Sequence, residues 1–96
     1  MRNYEIMFIV KPTLADDERK AVVENFANII TNNGSKLIDS KEVGQRELAY
    51  EIKDFKNGYY FIFEVESNDD KAIKEFDRLA LISNDIIRHL ITKLED

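Results

Sequence analysis

The chain has 96 residues, of which 44% are apolar, and it contains no cysteine. Six phenylalanines and four tyrosines are enough for one small hydrophobic core, whereas the lack of cysteine excludes disulfides, thiolate metal sites and cysteine nucleophiles. The formal net charge of −5 argues against a simple nucleic-acid-binding protein, which normally carries a basic excess, and no apolar stretch approaches the roughly 20 residues that span a bilayer.

The first predicted element is a strand, and a helix follows it. Residues 3–10, NYEIMFIV, are rich in aromatic and β-branched side chains, and Pro12 ends the strand because proline cannot donate to a ladder. Thr13 is the predicted N-cap of the helix, with Asp16 in the capping-box position. The apolar residues at helical spacing are Val22, Phe26, Ile29 and Ile30. The NNG at 32–34 predicts a left-handed stop.

Two antiparallel strands are predicted next. The first runs from about Lys36 to Lys53, and Gly44 within it indicates a bulge or bend, which would aim Arg46 away from the apolar row. Asn57-Gly58 is the strongest signal for a hairpin turn, and the residues after it are typical of a strand through Glu66.

The last two elements are a helix and a closing strand. Ser67 or Asn68 is the predicted cap of the helix. Its core-facing residues are Ile73, Phe76, Leu79 and Ala80. Residues 86–93, IIRHLITK, form the strand. The order βαββαβ predicts an α+β, ferredoxin-like sandwich in a single domain over residues 1–96. A four-stranded antiparallel sheet carries both helices on one face, and strands one and three lie at its centre.

The predicted sheet has an uncovered face with an unusual apolar content. If Ile6, Phe8, Phe61 and Phe63 face the helices, the alternate residues of the same strands point to the other side. These are Met7, Ile9, Tyr60 and Ile62. An exposed apolar cluster indicates a binding surface, although central strands also tolerate apolar residues on both faces.

The acidic excess is confined to the helices. Residues 13–33 and 66–85 contain ten acids and five bases, whereas the rest of the chain contains nine of each. The strands and loops are therefore neutral overall and leave room for local basic spots. Acidic helices beside strands and loops of mixed charge are compatible with phosphate contacts, with a basic protein partner, or with ordinary solvated helices.

Signals for catalysis are weak. His89 is the only histidine and has no serine, cysteine or second histidine at a telling spacing, so a surface or satisfied side chain is the simpler interpretation. Carboxylate pairs such as Asp16-Asp17 and Asp69-Asp70 stand at helix starts, where capping explains them. No metal site, cofactor or small-molecule substrate is expected, and the predicted protein is not an enzyme.

Four segments together resemble a known family over nearly the whole chain. They are MRNYEIMFIVKP at the start, GQRELAYEI, NGYYFIFEV, and FDRLALISNDIIRHLITK near the end. In this order they resemble the bacterial small-subunit ribosomal protein six family. The resemblance implies a cytoplasmic protein of the ribosome that binds the central domain of 16S ribosomal RNA, as a heterodimer with the strongly basic small-subunit protein eighteen.

The resemblance also implies which residues contact RNA, whereas the partner candidates come from the uncovered sheet face. Arg2, Arg46 and Arg88 match the family's main RNA contacts, and arginine suits them because its planar fork holds phosphate and stacks on bases. Weaker RNA candidates are Lys11, Lys53, Lys56 and Lys93. Met7, Ile9, Tyr60 and Ile62 are the candidate protein-partner residues.

The chain departs from the family pattern at two positions of the second strand. Val43 stands where tryptophan is usual, and Glu47 stands where a second arginine is usual, so Arg46 carries the RNA contact of this strand alone. An alternative function is a small regulatory or protein-interaction module that uses the open face. A phosphatase, which the same fold also hosts, would need an arginine in a glycine-rich first loop, whereas this loop reads VKPTLADD.

Overall fold

The computed structural model describes residues 2–94, which fold as a sheet covered on one face by two helices. The strands are β1 (Arg2–Val10), β2 (Lys36–Ile52), β3 (Phe55–Ser67) and β4 (Ile86–Leu94), and the helices are α1 (Asp16–Asn32) and α2 (Lys71–Ile82). All pairings are antiparallel and the strand order is β2-β3-β1-β4. The predicted ferredoxin-like βαββαβ sandwich with β1 and β3 at its centre is confirmed.

The core lies between the sheet and the helices and is built from phenylalanine. Phe8 on β1 is fully buried, with its ring 5.5 Å from that of Phe61 and 4.9 Å from that of Phe63. From the helices, Phe26 and Phe76 place their rings 6.2 and 5.6 Å from it. Tilted and edge-on aromatic pairs add to the free energy of burial. The parity predicted for the helix-facing residues is therefore correct.

Both helices begin later than predicted. The N-cap of α1 is Ala15 rather than Thr13, and Glu18 Oε1 accepts a hydrogen bond from the Ala15 backbone N at 3.1 Å. Asp70 rather than Ser67 or Asn68 precedes α2. Ser67 ends β3 instead, where its buried hydroxyl bonds that of Ser35 at 2.7 Å. The same hydroxyl also donates to the Asp69 carbonyl O at 2.5 Å, so it joins the Ser35 side chain and a local turn before α2 instead of capping the helix.

Two features predicted at glycines, the end of α1 and the bulge in β2, are confirmed. Gly34, with φ +85, follows α1 as a left-handed stop. Gly44 has φ +107 and lies at a register shift between β2 and β3, which is the predicted bulge. Residues other than glycine rarely adopt these backbone conformations.

The predicted hairpin turn at Asn57-Gly58 is wrong. The turn is at Lys53 and Asp54, whose φ angles of 50 and 69 are both positive, as a two-residue turn of type I′ requires. Gly58 lies within β3 opposite Arg46. A Cβ at this position would overlap Cγ2 of Ile9 and lie 3.1 Å from the carbonyl O of Val10. Glycine is therefore needed here for the close approach of side chains and backbone across the sheet.

Gly58→Ala is expected to destabilise the protein by about 1–3 kcal/mol, since an added methyl group in a packed site forces backbone shifts. Urea unfolding followed by circular dichroism measures this loss of unfolding free energy. Lys56→Ala, on an exposed residue of the same strand, is the matched control and should change the value by under about 0.5 kcal/mol. Equal stability of Gly58→Ala and the parent would contradict the close packing.

Candidate nucleic-acid interface

The sheet face away from the helices, here called the open face, carries an apolar patch at its centre. Met7 on β1 lies opposite Ile62 on β3 and Leu90 on β4, and Tyr60 is adjacent on β3. Met7, Tyr60 and Ile62 are half-buried, whereas Leu90 is 54% exposed. We call these four residues the apolar belt. Three of the four predicted partner residues therefore lie together at an accessible surface.

The expectation that Ile9 is uncovered is wrong, because its side chain is only 2% exposed. The β2–β3 hairpin folds across this end of the open face, and Leu48 packs with Ile87 on Ile9. Ile52 and Phe55, on either side of the turn, pack against the same cluster. Ile9 thus anchors the hairpin and is not available to a partner.

Arg46 and Lys56 lie together beside the hairpin. Arg46 is exposed and stands opposite Gly58, so no side chain across the ladder covers it. Lys56 lines the same open groove of about 450 Å³, together with Glu47 and Asn57. Glu47, one of the two departures from the family pattern, therefore places a carboxylate beside the two cations.

Arg88 and Lys53 form the second part of this basic surface. Arg88 on β4 lies opposite Ile9, and its Nη1 donates to the Tyr50 hydroxyl at 3.3 Å. Lys53, in the turn, lines a cleft that Arg88 also lines, beside Leu81 at the end of α2. We call the end of the sheet that holds Arg46, Lys53, Lys56 and Arg88 the basic end.

Lys11 lies at the same end but is engaged by an acid. Its Nζ is 3.2 Å from Asp85 Oδ1, and its backbone N donates to the Asp85 carbonyl O at 2.9 Å. The pair joins the end of β1 to the loop before β4. Of the predicted basic residues at this end, Lys11 therefore has the least charge to offer a phosphate.

Arg2 and Lys93 lie at the opposite end of the sheet. Arg2 is seven residues before Ile9 on β1, which places it about 24 Å from the row that contains Arg88. Lys93 is opposite Tyr4, near Arg2. The pKa of Asp70 is held below its usual value by the hydrogen bond and charge of Lys74 first and, more weakly, by the charge of Arg2. Arg2 thus has a carboxylate, that of Asp70, in its vicinity.

The half of the open face beyond the apolar belt is rich in carboxylates. Glu64 on β3 lies between Glu5 on β1 and Asp39 on β2, with each as a cross-strand partner. Lys41 on β2 is the cation beside them, with its Nζ 3.9 Å from Asp39 Oδ2. The open face therefore has a basic end, an apolar centre and a carboxylate-rich end.

Two residues, Tyr50 on the open face and Arg19 on the helix side of the sheet, were not singled out from the sequence. Tyr50 is 65% exposed at the rim of the basic end. Arg19 on α1 has a side chain only 11% exposed, bonded to Asp16 at 2.6 Å and stacked 3.8 Å above the Tyr59 ring. The three-residue spacing of Asp16 and Arg19 could have indicated their ion pair. Nothing local indicated the contact with Tyr59.

His89 has a structural role. Its Nε2 lies 2.7 Å from Asp77 Oδ1, and its ring is 6.2 Å from that of Phe76, so it joins β4 to α2. Within residues 2–94 no group of three or more histidine or carboxylate side chains could hold a metal ion. No helix in that range has the length and apolar character to cross a bilayer.

Comparisons with known proteins agree in family and fold. The family model described as Ribosomal protein S6 matches residues 3–93. A crystal structure of 30S ribosomal protein S6 from Thermotoga maritima superposes with a TM-score of 0.92 at 30% sequence identity, covering 97% of this chain and 87% of that one. A protein of Arabidopsis thaliana superposes with a TM-score of 0.58 at 12% identity, covering 100% and 95% of the two chains, and is similar in fold alone.

Proposed function

Because the chain belongs to the ribosomal protein S6 family, we propose that it binds the central domain of 16S ribosomal RNA together with small-subunit protein eighteen. The family consists of RNA-binding, non-enzymatic components of the small ribosomal subunit, and the chain has that structural role. The observation that carries the finer proposal is the division of the open face into a basic end and an apolar belt.

The basic end supplies the proposed RNA contact. Arg46 and Arg88 are both exposed and lie at the same end of the sheet. Their strands, β2 and β4, are three strand spacings apart, which puts the two backbones about 15 Å from each other. Their guanidinium groups can hold phosphate oxygens in pairs, and point charges are added by Lys56 beside Arg46 and by Lys53 beside Arg88. The remote Arg2 and Lys93 would contact RNA only where a long or bent segment reaches the other end.

The apolar belt and the carboxylate-rich end supply the proposed protein contact. Met7, Tyr60, Ile62 and Leu90 offer an apolar surface of the kind that partners bury. Glu5, Asp39 and Glu64 beside it attract a basic protein and repel RNA phosphate. This arrangement supports a basic partner on the belt with RNA at the neighbouring basic end.

The proposed mechanism is positional. Phosphate contacts from the basic end fix the orientation of the protein on the RNA, and RNA shape supplies selectivity. The partner completes the surface, so that the heterodimer rather than either chain holds a local RNA junction in one geometry. No chemical step is involved.

Leu90→Gln is expected to weaken the heterodimer by about 10-fold, because it buries an unpaired amide in the apolar belt. Leu90 is 54% exposed, so the substitution leaves the core intact, and an uncharged side chain avoids a new attraction to a basic partner. Light scattering of the chain mixed with protein eighteen measures the complex. Asn25→Gln, on an exposed residue of α1, is the control.

Two results would contradict the proposed partner face. One is equal heterodimer formation by Leu90→Gln and the parent. The other is a stable homodimer of the chain alone that protein eighteen does not displace, which would favour the alternative of a protein-interaction module that uses the apolar belt for self-association.

A further inference from the structure

A small groove on the open face lies between the hairpin and β4. Its volume is about 190 Å³, and Met7, Ile9 and Tyr60 line it from the sheet. Tyr50 from the hairpin and Arg88 from β4 also line it and are both exposed. We call it the tyrosine groove. Arg88 is the only charged side chain among its lining residues.

Tyr50 is held at the rim by the hairpin around it. The ladder between β2 and β3 is interrupted from Glu47 to Ile52, so cross-strand pairing does not set the direction of Tyr50. Leu48 and Ile52, two residues before and after it, instead pack on the cluster formed with Ile9. Both flanks of Tyr50 are thus anchored while its own ring stays 65% exposed. A fixed, accessible ring is suited to stacking.

Arg88 brings a cation that is not neutralised by a nearby acid. Its Nη1 donates to the Tyr50 hydroxyl at 3.3 Å. Among the ion pairs within residues 2–94, none includes Arg88. The guanidinium thus lies beside Tyr50, where a phosphate on the rim of the groove could meet it.

We propose that the tyrosine groove takes one unpaired nucleotide of RNA, with the base against Tyr50 and the apolar floor and its phosphate at Arg88. An unpaired nucleotide supplies a π-face, an apolar ring edge and an anion in one unit, which matches the three features of the groove. This inference rests on the proposed function, since it requires that the basic end faces RNA.

A side chain of the protein partner is the competing occupant. The groove shares Met7, Tyr60 and Leu90 with the apolar belt, so an aliphatic side chain also fits its floor. A basic partner, however, would bring its own cations against the unneutralised Arg88, which is unfavourable at short range. The charge of the rim therefore favours a nucleotide, and the alternative occupant is one outcome of the test.

The test uses the full chain with protein eighteen and a central-domain 16S fragment. Tyr50→Ala is expected to weaken RNA binding about 10-fold through lost stacking, with the slope of log affinity against log salt unchanged because no phosphate contact is removed. Tyr50→Phe keeps the ring and should bind within about twofold of the parent. Ultraviolet cross-linking followed by mass spectrometry should place a nucleotide on the peptide that contains Tyr50.

Each other outcome overturns the proposal in a distinguishable way. If Tyr50→Ala binds RNA like the parent and no cross-link forms at Tyr50, while Arg46→Ala weakens binding, the groove assignment is wrong and the proposed function stands. If Tyr50→Ala weakens the heterodimer in the absence of RNA, the groove takes a partner side chain. If the parent itself does not bind the fragment, the proposed function fails and the groove assignment fails with it.

Discussion

Replacing Arg46 and Arg88 together by alanine is expected to weaken binding of the heterodimer to the central-domain 16S fragment by at least about 100-fold. Hydrogen bonds to charged groups contribute about 1.5–3 kcal/mol each, and each factor of ten in affinity corresponds to about 1.4 kcal/mol. Both side chains are exposed, so their loss should leave the fold unchanged. A filter-binding titration at fixed salt measures the effect.

Two further variants show whether this loss is local to the basic end. Lys20→Ala removes a positive charge from the exposed face of α1, on the other side of the sheet, and should change affinity by less than about twofold. Glu47→Arg replaces the carboxylate beside Arg46 and Lys56 and should strengthen binding. Similar losses in the double variant and in Lys20→Ala would mean that the basic end has no special part in binding.

Phe8→Ala is expected to lower the free energy of unfolding by about 3–5 kcal/mol, the largest effect on stability predicted for the chain. Phe8 is fully buried, and four other phenylalanine rings lie within 6.2 Å of its centroid. Small domains are stable by only about 5–15 kcal/mol, so the variant would be close to unfolding. The basic end and the apolar belt both depend on this core, because it holds β1 and β3 in register.

Urea unfolding of the parent and three variants tests this role of Phe8. Phe8→Leu keeps most of the volume and should lose less than Phe8→Ala, which keeps the comparison measurable if the alanine variant is unfolded. Leu90→Ala, on a residue 54% exposed, is the surface control and should lose under about 1 kcal/mol. A loss in Phe8→Ala no larger than that in Leu90→Ala would place the core elsewhere.

The architecture was predictable because local patterns and tertiary contacts agree over most of the chain. The supposition that Phe8, Phe61 and Phe63 share the helix-facing parity of β1 and β3 agrees with the structure, which buries all three. Helical spacing assigned Phe26 and Phe76 to the same core. Such agreement between levels is what gives a sequence a single fold.

The hairpin turn was not predictable because a tertiary contact outweighs the local signal. Asn57-Gly58 is a good turn sequence by itself, but Gly58 is required against Ile9 and Val10 within the sheet. The turn instead forms at Lys53 and Asp54, and lysine is not a residue that favours positive φ. The residues next to a glycine in the sequence do not show whether it will pack against another strand.

The candidate site was predictable in residue type but not in grouping. Arg46 and Arg88 lie at one end of the sheet only because of the register of three strand pairs. Lys11 is engaged by Asp85, 74 positions later in the chain, and Ile9 is covered by Leu48 from the hairpin. Each of these contacts joins distant segments of the chain. Charge and strand parity in the sequence therefore could not show which side chains are free to bind RNA or a partner and which are already in contact with other parts of the protein.

Titration of a central-domain 16S fragment, with and without protein eighteen, over a range of salt concentrations tests the central claim most directly. We expect tight binding only when both proteins are present, with an affinity that falls as salt rises. In Arg46→Ala, the negative slope of log affinity against log salt should become shallower by about one unit, since one phosphate contact is lost. No binding in the presence of both proteins, or binding by the heterodimer that neither salt nor Arg46→Ala changes, would contradict the claim.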